Sequence, residues 1–124
     1  MSYLNAISFY FLIILIGIKM ATHDFLFSYT VSPKNPAYKN DADDIRRKIA
    51  NIKSPSWVKY TDVETVFSGE FDLTGLNSAK RAQAEEKVKN TINQILVENK
   101  CVSKVKVIVV LMVDQLGKPM HFTI

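Results

Sequence analysis

His23, His121 and Cys101 are the only imidazole and thiol groups in this chain of 124 residues. A structural zinc site needs about four such ligands at close spacing. Three, scattered along the chain, predict neither a metal site nor a cofactor. Asp41, Asp43 and Asp44 stand close together. A calcium loop would also need a glycine at its sixth position and a bidentate Glu at its twelfth, and both are missing. Ser68-Gly69 lacks the G-x-S-x-G frame of a strained nucleophile turn, and the four glycines are too scattered for a phosphate loop. Trp57, Tyr60, Phe67 and Phe71 do not alternate with a basic stripe, so no nucleic acid partner is expected. Nothing in the chain reads as a small-molecule ligand site. The single Cys101 has no disulfide partner within the chain and suits a buried, packed position.

Two patterns remain. From Asp62 to Leu73 the residues alternate strictly, with Asp62, Glu64, Glu70 and Asp72 among the even positions and Phe67, Phe71 and Leu73 among the odd ones. A period of two predicts a half-buried strand with an acidic face in water. Gly69 suggests a bulge or bend within it. Lys104 and Lys106 occupy even positions of a later strand and are expected opposite these carboxylates. That later strand, Val102 to Val113, is apolar on both sides after Lys106: Ile108, Val110 and Met112 face one way, and Val107, Val109, Leu111 and Val113 the other. A strand of this kind must be covered twice. Either the helix around Ile49 supplies the second cover, or the patch docks a partner. The candidate partner surface is therefore Asp62, Glu64, Glu70, Asp72, Ile108, Val110 and Met112.

The elements that position these residues follow from periodicity. Phe25 to Val31 alternates as a first strand, and Pro33 and Pro36 mark a loop. Asn40 is expected to cap a helix through Ile52 with Ile45, Ile49 and Ile52 on one stripe. The acidic first turn and the basic residues near its end suit the helix dipole. Pro55 breaks the chain. Asn77 or Ser78 is expected to cap a long helix through Asn99 that buries Ala84, Val88, Ile92, Ile95 and Leu96. The strand from Val102, a turn at Gly117 and the alternating Met120, Phe122 and Ile124 form a closing β-hairpin. The order predicts an α+β fold: a sheet of about four strands packed with two helices.

Residues 3–18 stand apart. Ten of them are Leu, Ile or Phe, and no charge precedes Lys19. At about 1.5 Å per residue, a 16-residue helix reaches about 24 Å against a hydrocarbon core of about 30 Å. Extension through Met20 and Ala21, with Lys19 snorkelling, closes most of the gap. Small residues are poorly placed for signal cleavage and there is no basic leader, so an uncleaved transmembrane anchor is expected over a removed signal. Residues 1–21 then form the anchor or signal, and residues 22–124 a single α+β domain. Lysines flank only the C-terminal side, which read strictly would keep the domain inside. A short N-terminal anchor that exports the domain behind it is the preferred reading, which makes that domain extracytoplasmic. The functional expectation is a non-enzymatic, membrane-tethered accessory domain of a cell-envelope assembly of secretion, pilus or conjugation type, binding a protein partner. The alternative is a secreted or periplasmic inhibitor of immunity-protein type, and a small enzyme ranks third. The net charge of +4 is spread through the chain and favours no nucleic acid.

Overall fold

A computed structural model describes residues 20–124. The expected apolar helix, its membrane span and its orientation fall on residues 1–19 and so lie outside the described residues. No helix among the described residues is long and apolar enough to cross a membrane.

The described residues form an α+β fold with a five-stranded antiparallel sheet and two helices. In chain order these are β1 (Met20–Pro33), a 3-10 turn (Pro36–Tyr38), α1 (Lys39–Ala50), β2 (Trp57–Lys59), β3 (Val66–Thr74), α2 (Asn77–Glu98), β4 (Val105–Val113) and β5 (Met120–Thr123). The strand order is β2-β3-β1-β4-β5. Two split β-α-β units interlock around the central β1, the arrangement called ferredoxin-like. β5 is added beside β4 by the closing hairpin.

One face of the sheet carries the core. Phe25, Phe27, Tyr29 and Val31 of β1 meet Phe67, Phe71 and Leu73 of β3 and the odd residues Val105 to Val113 of β4. Ala42, Ile45 and Ile49 of α1 and Ala84, Val88, Ile92 and Leu96 of α2 join the same cluster. Burying Val88, Ile92 and Leu96 alone favours folding by roughly 5 to 9 kcal/mol. Cys101 is buried beside this core, as its position suggested.

Several expectations are corrected. The first strand begins at Met20, because Met20 and Ala21 pair with Thr74 and Leu73. Those two residues therefore do not extend an apolar helix. The fifth strand, β2, has only three residues, too few to show a period. Asn40 lies inside α1, whose N-cap is Tyr38 with no side-chain cap bond; Asn35 caps the 3-10 turn before it, accepting a hydrogen bond from the Ala37 amide at 2.9 Å ahead of Pro36. Neither Asn77 nor Ser78 caps α2, whose N-cap is Leu76. Instead the Gln83 side chain bridges the Thr74 carbonyl at 2.7 Å and its amide at 3.1 Å, closing the junction from β3.

Gly69 is not a bulge, since pairing runs unbroken from Glu70 to Ser68. It permits a close approach: a Cβ there would stand 1.9 Å from the Ser56 carbonyl and 2.9 Å from the Phe25 ring. The absent side chain lets Phe25 stack on Phe71 at 4.0 Å and lets Trp57 pack edge-on against Phe25, Phe27 and Phe67. At the other end of α2, Lys100 takes a φ of 55°. The Cys101 amide reaches the Leu96 carbonyl at 2.8 Å and the Lys100 amide the Val97 carbonyl at 3.1 Å, a Schellman termination.

Candidate functional site

Both helices lie against one side of the sheet, so α1 does not supply a second cover for β4. Among the described residues nothing covers the other side. Its residues are the even positions of β1 and β4 and their partners. The register places them in rows, each with neighbouring Cβ atoms roughly 5 Å apart. Ser68, Leu26 and Met112 form one row, with Val58 beyond Ser68. Val66, Ser28, Val110 and His121 form the next, and Thr30, Ile108 and Thr123 the third. Leu26, Val110, Met112 and Val58 are 42%, 43%, 52% and 55% exposed, whereas Val109 and Leu111 are at 0%. Ile108, Val110 and Met112 thus lie together at the centre of this face, and Leu26, Val58 and Val66 enlarge the patch. The last three were not anticipated. Leu26 sits at an even position of the expected first strand, but nothing in the chain says which strand will flank it.

The carboxylates divide. Glu70 and Asp72 do project from the open face, at one end of the patch. Glu70 stands opposite Asp24, and Asp72 accepts a hydrogen bond from the Thr22 hydroxyl at 2.7 Å. Asp62 and Glu64 belong to the turn before β3, not to a strand. The alternation simply continues through a turn that has no sheet partner. Lys106 is not opposite the carboxylates either. It pairs with Ser32, at the far end of the patch, because β1 lies between β3 and β4. Lys104 precedes β4 and sits over the Tyr38 ring at 5.8 Å. The open face is therefore apolar in the middle and acidic at one end, with Lys106 at the other.

The clefts offer little chemistry. One of about 490 Å³ adjoins the acidic end, between Asp24, Glu70, Pro55, Ser56 and Tyr60. Both of its carboxylates are exposed, whereas a catalytic pair needs one acid desolvated. A second, of about 250 Å³, is lined by Tyr29, Arg46, Arg47, Lys59 and Glu64. Burial pushes the Tyr29 phenol up, opposed by the Arg46 charge and reinforced by Glu64. The neutral hydroxyl donates to the Glu64 carbonyl at 3.4 Å. Arg46 is already held by Asp43 at 2.6 Å and the Val31 carbonyl at 3.0 Å. Its guanidinium fastens α1 to β1.

His23 is buried, and both ring nitrogens are engaged. Nδ1 donates to the Asp114 carbonyl at 2.9 Å, and Nε2 accepts from the Lys80 ammonium at 3.3 Å. Arg81 donates to the Leu116 and Lys118 carbonyls at 2.6 and 2.7 Å. Together they clamp the β4–β5 turn onto β1 and α2. His121 lies on the open face, one strand outside Val110. Among the described residues no three His, Cys, Asp or Glu side chains come close enough to share a metal ion. No protein-family model, no curated protein and no solved structure matches this chain.

Proposed function

We propose that the chain is a non-enzymatic, membrane-tethered binding domain of a cell-envelope assembly, with the open face of its sheet as the docking surface. The observation that supports this reading most is the apolar patch of Leu26, Val58, Ile108, Val110 and Met112 on an uncovered sheet face. Antiparallel sheets commonly leave one face in water, but that face is then polar. A contiguous apolar patch rimmed by charge marks an interaction site. The tether rests on the apolar residues 3–18, which precede β1 in the chain. The domain is placed outside the cytoplasm in this reading.

A photoreactive side chain at position 112 in intact membranes tests the surface. A discrete protein adduct is expected there, and none from the same probe at position 86, on the exposed side of α2. Equal labelling at both positions would remove the basis for the proposal. Alkaline extraction of the membranes tests the tether: the full chain should stay with lipid, and a chain lacking residues 3–18 should be released.

A further inference from the structure

We infer that the open face is filled by a second copy of this chain. The two sheets pack face to face about a two-fold axis that crosses the strands at the level of Ser28 and Val110. This deepens the reading above, and rests on it, by naming the partner.

The inference comes from how the face maps onto itself. A two-fold interface is self-complementary: if residue i meets residue j, then j meets i. An axis parallel to the strands would set Asp24 and Glu70 against the same two residues of the other copy, which like charge forbids. An axis across the strands exchanges the two ends instead. The register then fixes the contacts. Asp24 lies two pairs before Ser28 on β1, and Lys106 pairs with Ser32, two pairs beyond it. The exchange brings Lys106 of each copy to the acidic end of the other, one strand from Asp24. Met112 and Ile108 lie one pair to either side of Val110 on their common face. Met112 therefore meets the other copy's Ile108, Val110 meets Val110, and Leu26 meets Thr30. The apolar residues of β4 are matched to apolar residues, and Lys106 of each copy comes beside the carboxylates of the other.

β1 and β4 run the length of the face, but between the levels of Asp24 and Ser32 β3 reaches only from Glu70 to Val66, and β2 and β5 are short. With strands about 4.8 Å apart and about 3.4 Å per residue, the face spans roughly 470 Å² in projection. That is below the roughly 800 Å² per partner of a standard stable interface and in the range of a weak, reversible one. Sheets stacked about 10 Å apart and turned by about 30° are an ordinary packing of this kind.

Two experiments on the full chain test this. In purified protein in detergent, Val110→Cys placed on the axis should be joined by a short bismaleimide into a species of twice the chain mass. The native chain should not, because Cys101 is buried. No linked species would overturn the inference. Next, Asp24→Lys and Lys106→Glu should each weaken self-association by roughly 5- to 30-fold, since each reversal acts twice at a two-fold interface. The double variant should recover to within about threefold of the native chain, because the two ends are exchanged. A double variant as weak as the singles would overturn the axis proposed. The photoreactive probe at position 112 in membranes separates this inference from the reading on which it rests. An adduct of twice the chain mass supports both. An adduct to a different protein, with no self-adduct, overturns self-packing alone. No adduct, or an internal link to residues 1–19, overturns both.

Discussion

The two faces of this sheet are built from the same strands by the same alternation, yet they have different fates. On β4 the inward residues Val105, Val107, Val109 and Leu111 are fully buried under two helices. Their neighbours Ile108, Val110 and Met112 are equally apolar and have no cover from the described chain. The difference teaches that hydrophobicity alone does not decide burial. The helices decide it. α1 and α2 both follow crossovers that return to the same side, so the inner face gains two layers of contact and the outer face none.

The comparison breaks most visibly by truncation. Leu111→Ala should cost about 2 to 5 kcal/mol in chemical denaturation, because a fully buried side chain leaves a cavity. Met112→Ser, one residue away, should change monomer stability by no more than about 0.5 kcal/mol. Gly69→Ala comes next. Its Cβ would collide with the backbone of Ser56, so β2 must shift from the aromatic cluster, at about 1 to 3 kcal/mol. A blue or red shift in Trp57 fluorescence should accompany the loss. An unperturbed variant would show that the inner face tolerates what the outer face would.

A smaller gain is expected at the turn that carries α2 into β4 and so sets which residues of β4 point inward. Lys100 holds a left-handed conformation that suits glycine. Lys100→Gly should stabilise the fold by roughly 0.5 to 1 kcal/mol, read as a higher denaturation midpoint. The smallest effect concerns Tyr29, whose phenol points from the inner face towards its rim. Its pKa is raised in the folded state, chiefly by burial. Above about pH 10 the unfolded chain releases this proton while the folded chain retains it, so stability should fall as pH rises through that range. Tyr29→Phe should show a shallower decline between about pH 10 and 11.

Much of this contrast was legible in the chain. Alternation placed Phe67, Phe71 and Leu73 on the buried side of β3 and Glu70 and Asp72 on the wet side. The helical stripes at Ile45 and Ile49 and at Ala84, Val88, Ile92 and Leu96 were equally clear. The doubly apolar run of β4 was legible too, but it left open whether the helix around Ile49 would cover its outer side, and that helix packs on the inner side. The illegible part was long-range. No local pattern says that β1 inserts between β3 and β4 and so parts Lys106 from Glu70, or that both helices choose one side. Trp57–Lys59 is too short to display a period, and Asp62 and Glu64 keep an alternation that belongs to no strand. Met20 and Ala21, just past Lys19, are apolar enough to end a helix or begin a strand, so composition alone marks no boundary there.

A sheet face that the described residues leave uncovered is the feature on which docking and self-packing both depend. The decisive measurement is the denaturation midpoint of Met112→Ser beside that of Leu111→Ser, in the full chain at a dilution where it is monomeric. A near-native midpoint is predicted for the first and a large loss for the second. Equal losses would mean that the same chain already buries Met112, and that this face is core.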